Sequence, residues 1–173
     1  MKNMVYTIAI IILALIIGLI IFNQLTKRTI TTEILIEASA EEVWKVLMDH
    51  KSYHEWNPFI KSIEGSAAEG EQLHVVIQSD ANKTMSFDPL VLRNSENDEF
   101  RWVGKLGIKG VFDGEHYFIL EKVDMNNTRF IHGENFSGVL SGALLKMIGK
   151  DTEDGFEAMN AALKSRTENL TTT

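Results

Sequence analysis

Hydrophobic residues are spread unevenly along this chain. Residues 4–22 read MVYTIAIIILALIIGLIIF, without one charged side chain. As a helix rising 1.5 Å per residue, this segment spans about 28 Å, close to the hydrocarbon thickness of a bilayer. Tyr6 near one end, and Lys27 and Arg28 past the other, stand where interfacial anchors belong. The run is too long for a secretory signal core, and no small-x-small cleavage site follows it. The pattern therefore predicts a retained transmembrane anchor within residues 1–28, ahead of a domain over residues 29–170. Lys2 and the amino terminus nearly balance Lys27 and Arg28. Because a helix at the extreme N-terminus commonly acts as an uncleaved export signal, the expectation is a single-pass protein of the cell membrane with an extracytoplasmic domain.

From residue 29 the period changes. Residues 29–37 alternate Ile34 and Ile36 with polar neighbours, as a half-buried strand does. Ser39-Ala40-Glu41-Glu42 has capping-box spacing, and Val43, Trp44, Leu47 and Met48 follow on one helical face. Pro58 turns Asn57 away from the helical conformation, so YHEWNP at 53–58 ends that segment. Between residues 59 and 136 the period is two. Leu73, Val75 and Ile77 share a face; Phe100 and Trp102 share another, followed by Gly104 and Gly107, which predict a bend or bulge. Residues 111–123 place Phe112, His116, Phe118 and Leu120 together, with Asp113, Glu115 and Tyr117 opposite. After the polar turn DMNNT, residues 129–136 return with Phe130, His132, Glu134 and Phe136 on one face, and the whole reads as an antiparallel meander.

Residues 141–168 read as a long helix. Leu144, Met147 and Ile148 form one apolar stripe and Phe156, Met159 and Leu163 the next, with Gly149 and Gly155 predicting a kink between them. One amphipathic helix covers six or seven strands only if the sheet curls around it. That packing leaves a space between helix and concave face, lined by the inward residues.

Composition narrows the chemistry. The net charge is −7, and three of the 17 basic residues (Lys2, Lys27 and Arg28) precede the domain, which is more acidic still. A domain of that sign without a Lys/Arg block is repelled by phosphate backbones, so nucleic acid is not expected as a partner. Cysteine is absent, which removes disulfides, thiolate metal sites, a Cys nucleophile and Cys lipidation. There is no G-x-S-x-G, no H-E-x-x-H, and the glycines of GKLGIKG at 104–110 lie between strands rather than opening a helix. No cofactor or metal is expected.

Three stretches carry a resemblance: ILIEASAEEVWKVLMDHKSYHEWNPFIKSIEG, FDGEHYFILEKVDMNNTRFIHGENFSG and DTEDGFEAMNAALKSRTE. With W-N-P-F at 56–59, H-G-E-x-F-S-G at 132–138 and G-F-E-A-M-N-A-A-L-K at 155–164, residues 30–168 resemble the START-like superfamily, most closely its polyketide cyclase/dehydrase-like SRPBCC proteins. The resemblance implies an α+β helix-grip fold, a curved antiparallel sheet wrapped around a long C-terminal helix, here with one N-terminal transmembrane helix added. It implies a cavity for apolar or amphipathic small molecules, and no single reaction.

On that fold, His116, His132 and Glu134 are polar groups on an otherwise aromatic wall. They hydrogen-bond one another at the cavity rim, orient a ligand, or work as acid and base, with His132 and Glu134 the catalytic candidates. Two histidines and a carboxylate also match a facial metal triad, but the histidines come from adjacent strands and no second carboxylate or Asp-x-His pattern supports it. Trp56 and Phe59 are expected near the entrance, as core or gate. Trp102, Phe112, Phe118 and Phe136 belong to the wall, and Met147, Phe156 and Met159 to the floor. His74 is expected to be exposed, and His50 and His54 solvated. Three functions compete. They are a membrane-tethered binder of a lipid, isoprenoid or polyketide-like molecule, a cyclase or dehydratase using Glu134 and His132, and an accessory protein with a filled core and a protein partner. Binding leads, because the polar groups are few and show no recognisable reaction geometry.

Overall fold

The structure is a computed structural model describing residues 2–25, 28–80 and 83–171. It contains α1 (Lys2–Leu25), β1 (Arg28–Ile36), α2 (Ala40–Met48), a 3-10 turn (His50–Ser52), α3 (Tyr53–Trp56), β2 (Ile60–Gly65), β3 (Leu73–Asp80), β4 (Lys83–Phe87), β5 (Leu90–Ser95), β6 (Glu99–Lys105), β7 (Asp113–Lys122), β8 (Thr128–Ser137) and α4 (Ser141–Thr171). The large apolar side chains of α1 are 46–68% exposed. Among the described residues no helix is long and apolar enough to cross a membrane. The fold therefore carries α1 as a helix but does not carry its transmembrane assignment.

The domain starts as its sequence dictates. Ile30, Thr32, Ile34 and Ile36 turn inward along β1 while their neighbours face out. Ser39 accepts from the Glu42 amide at 3.3 Å, and the Glu42 carboxylate accepts from the Ser39 amide at 2.8 Å. This reciprocal cap satisfies two otherwise orphaned donors and starts α2, which buries Val43, Trp44, Val46 and Leu47. Residues 53–56 make one further helical turn rather than ending the helical segment. The stop comes at Asn57, whose ψ of 114° is the extended conformation that Pro58 imposes.

All strand pairs are antiparallel, in two ladders: β1-β8-β7-β6-β5 and β2-β3-β4. The ladders are halves of one surface. The bridge between Gln72 and Leu90 lies in the same register as Val75 against Phe87, so β4 and β5 are one bent strand broken at Pro89, which has no N–H to give. Three bonds hold the seam, from Gly70 N to Val91 O, Leu73 N to Pro89 O and Val91 N to Glu71 O, each 2.9 Å. The result is a seven-stranded curved sheet.

Two glycine expectations are corrected. Gly104 makes no bulge: β6 and β7 pair without a shift from Glu99–Ile119 to Lys105–Asp113. A side chain there would meet the Phe87 ring at 3.2 Å, so the glycine admits a ring rather than a bend. Nor do Gly149 and Gly155 break α4, which runs unbroken for 31 residues. Gly155 instead makes room for Phe59, whose ring a Cβ would overlap, and Phe59 packs edge-on against Phe156 at 5.5 Å.

The two helix glycines should thus respond oppositely to alanine. At Gly149 a Cβ meets only Ile30 Cδ1 at an ordinary 3.8 Å. Gly149→Ala should therefore raise stability by about 0.5–1 kcal/mol through helix propensity. Gly155→Ala should lower it by about 1 kcal/mol, because overpacking against Phe59 outweighs that gain. Urea midpoints of the full chain decide the sign.

Candidate functional site

The register fixes which side chains meet. Across the concave face Ile30 pairs with Glu134, Glu134 with His116 and His116 with Trp102; one row on, Thr32 pairs with His132 and His132 with Phe118. Alternation then sends all of them to the side where α4 lies. His132 and Phe118 are fully buried and Trp102 and His116 nearly so. His132 stacks on Phe156 at 3.9 Å, and His116 stacks on Trp102 at 4.6 Å with rings 3° from parallel. This half of the interior is packed solid.

A chain of hydrogen bonds runs through it, and its direction can be derived. The Thr32 hydroxyl donates to the His132 carbonyl at 3.3 Å, so it must accept from Asn160 Nδ2 at 2.8 Å. That orients the amide and leaves Asn160 Oδ1 as acceptor for His132 Nδ1, at 3.0 Å. A neutral His132 then has a bare Nε2, which accepts from His116 Nε2–H at 2.9 Å. His116 in turn has a bare Nδ1, facing Glu134 Oε2 at 3.3 Å. Only a protonated Glu134 can complete the chain.

The electrostatics agree. Burial pushes His116 down to about 3, and burial together with the neighbouring His116 pushes His132 well below its ordinary value, against weaker support from Asn160 and the Phe156 backbone. Burial pushes Glu134 up to about 8. Its side chain keeps 20% exposure, so water moderates that shift without reversing it. Glu134 lies over Gly114, where any Cβ would overlap its carboxyl. The arrangement presents a neutral O–H donor, partly open to solvent, with its proton held on Glu134 rather than on His116.

Beside Glu134 runs the first half of α4, which is less tightly packed than the second. Phe156, Met159, Asn160, Leu163 and Thr167 are buried on the second half, but no residue of 142–155 is. Leu144 and Leu145 stand half-buried, Gly149 approaches Ile30, and Phe112 stacks on Phe136 at the same end of the sheet. A cleft of about 460 Å³ sits at the other end of α4, lined by Glu42, Lys45, Val46, Asp49, Ser52, Arg166, Thr167 and Leu170. Its walls are mostly charged or polar.

Several expected site residues are placed differently. Met147 is 76% exposed and lies on the surface, because the helix packs through its later stripe. Phe59 is core, and Trp56 packs edge-on against Tyr53 while its indole N–H donates to Ser52, so neither stands open as a gate. Trp102, Phe118, Phe156 and Met159 are core. His132 is fully buried and touches solvent nowhere. His74 is exposed and bonded to Asp88, as expected, and His54 is exposed. His50 is not solvated: it packs on Tyr53 and Phe100, its Nε2 is buried without a partner, and burial lowers it to about 4. Thr32 and Asn160 were not anticipated. Asn160 could have been found as the one amide interrupting the Phe156, Met159, Leu163 stripe. Among the described residues no group of three or more side chains is arranged to hold a metal; the two histidines face each other nitrogen to nitrogen.

The linkage can be tested. His116, His132 and His50, lowered in the fold, add stability as pH rises towards 6.5. Glu134, raised in the fold, contributes fully below its unfolded value near 4.5 and loses that contribution as pH rises to about 8. Unfolding free energy should therefore peak near pH 6.5 and fall by about 1–2 kcal/mol towards pH 8. Glu134→Gln still donates to His116 and should abolish the fall while keeping the rise. A pH series of urea titrations on both proteins measures this, and an unchanged fall in the variant would exclude Glu134 as its source.

Comparisons with known proteins agree with the fold. No curated protein matches the chain. Among solved structures, the Zhui aromatase/cyclase from Streptomyces sp. R1128 superposes with a TM-score of 0.65 at 14% identity, over 82% of this chain and 94% of that one. A START superfamily protein from Mycobacterium smegmatis gives 0.64 at 21%, over 82% and 98%. Norcoclaurine synthase from Thalictrum flavum gives 0.64 at 13%, over 85% and 91%. These likenesses establish the helix-grip fold. Residues 27–168 match the family described as polyketide cyclase/dehydrase and lipid transport, and the chain belongs to that family.

Proposed function

We propose that the domain binds a neutral amphipathic small molecule, of lipid, isoprenoid or polyketide-like kind, with its apolar body under residues 142–155 and an acceptor oxygen on Glu134. The observation that carries this reading is the directional chain that ends in a protonated, partly open carboxyl beside the half of the long helix that is not buried, and the proposed chamber lies between the two. A neutral donor at an apolar wall selects carbonyl or hydroxyl oxygen and rejects cations, whose attraction requires the carboxylate. The family description, which includes lipid transport, is consistent with it. We further propose that α1 anchors the domain in the cell membrane with the domain outside the cytoplasm. Support comes from the charge-free run 4–22 and from the exposure of its side chains. Tethering keeps the chamber where apolar ligands concentrate.

A second reading has its own observation. A carboxyl lifted to about 8 stays mostly protonated at neutrality yet ionises just above it, which suits a general acid or base in a cyclase or dehydratase. Glu134 would then be the acting group, with the neutral His116 and His132 holding it in place.

Native mass spectrometry of the full chain, extracted from membranes in mild detergent, should show a small-molecule adduct that organic extraction identifies. Glu134→Leu should weaken its rebinding about tenfold, the loss of one hydrogen bond in a dry site, whereas Glu134→Gln should stay within about threefold. Stoichiometric binding unaffected by Glu134→Leu would remove Glu134 from the site. Turnover of the bound molecule, lost in Glu134→Gln, would favour the enzyme.

A further inference from the structure

The end of the sheet where β1 begins gathers exposed apolar side chains with lysines. The register aligns Arg28 with Phe136, Lys105 with Asp113, and Asp113 with Ser137, so the starts of β1 and β7 and the ends of β6 and β8 form one edge. Beyond that edge the β6–β7 loop and the β8–α4 loop are tied into a single lobe. Val139 N bonds to Gly110 O at 3.1 Å and Leu140 N to Val111 O at 2.9 Å, while Leu106 N closes on Phe112 O at 2.8 Å. The lobe exposes Leu106, Ile108, Val139 and Leu140 at 43–76%, and the adjoining turns of α4 expose Met147 at 76% and Ile148 at 36%. Exposed apolar residues gathered this way mark an interaction surface.

Charge identifies the partner. Residues 104–112 and 138–150 carry Lys105, Lys109, Lys146 and Lys150 and no acidic residue, in a chain whose net charge is −7. Asp113 at the edge accepts from the Gly110 amide, and Lys150 pairs with Asp154, leaving Lys105, Lys109 and Lys146 as the lobe's surface cations. Large apolar side chains interleaved with lysines suit an anionic bilayer surface, where the apolar groups enter the interface and the ammonium groups meet phosphate. Connectivity supplies an independent argument. Only residues 26 and 27 separate the end of α1 from Arg28, and that chain reaches about 11 Å at most. If α1 lies in the bilayer, the edge bearing the lobe cannot be far from the headgroups.

We infer that the lobe formed by residues 104–112 and 138–140, with the first turns of α4, docks on the anionic bilayer that holds α1. The inference rests on the anchoring proposed above. Docking turns the Phe112–Phe136 end of the chamber, and Glu134 behind it, towards the membrane, so a ligand passes between bilayer and chamber without crossing water.

The chain has no cysteine, so single-cysteine labelling is unambiguous. The full chain is reconstituted in vesicles of phosphatidylcholine with phosphatidylglycerol, carrying an environment-sensitive dye at Ile108→Cys. A second protein carries it at Met125→Cys, equally exposed at 77% but on the β7–β8 turn at the opposite end of the sheet. The expected result is a blue shift and quenching by spin-labelled lipid at position 108 and neither at 125. Changing Lys105, Lys109 and Lys146 to Glu should reduce the docked-to-undocked ratio about fivefold or more per lysine without releasing the protein from the vesicles. Alkali-resistant flotation reports α1 separately. Floating protein with a water-exposed probe at 108, or with equal quenching at 108 and 125, overturns the docking inference and leaves the anchor standing. Protein that alkali strips from the vesicles overturns both.

Discussion

The interior is organised by a proton count. Thr32, Asn160, His132, His116 and Glu134 form a single line of hydrogen bonds, and the carbonyl at its start accepts only, so every link has one possible direction. Two neutral imidazoles in contact then require a donor at the far end, and a carboxylic acid is the group available. Burial alone would raise a glutamate; here the geometry also leaves the ionised form without a complementary donor. The packing follows from the same line. Asn160 ties α4 to β1 and β8 and brings Phe156 against His132, so the second half of the helix is clamped while residues 142–155 bury no side chain fully.

That division separates the three functional readings. A filled core describes the region around Trp102, Phe118, Phe156 and Met159. The proposed binding region lies along residues 142–155, none of which is fully buried. Glu134 stands at their boundary, its carboxyl positioned by the packed part and still 20% exposed.

Much of this was legible in the sequence, and the limits are physical. Alternation in 111–123 and 129–136 placed His116, His132 and Glu134 on one face because a pleat leaves no other choice. Ser39 and Glu42 announced the start of α2 by spacing alone. Helical stripes were less informative: Leu144, Met147 and Ile148 repeat as Phe156, Met159 and Leu163 do, and periodicity does not say which stripe finds a partner. Glycines were misread for a related reason. Gly104 and Gly155 admit the rings of Phe87 and Phe59 from distant parts of the chain, and no local pattern records such a neighbour. His50 sits in a polar stretch, yet the 3-10 turn folds it onto Phe100, some fifty residues on.

Pro89 divides the sheet. On one side of it, five strands carry His116, His132 and Glu134; on the other, β2, β3 and β4 form a wing joined across the break by three backbone bonds. The wing brings Ile60, Ile63, Leu73 and Val75 into the same core, so the break bends the shell without dividing its interior.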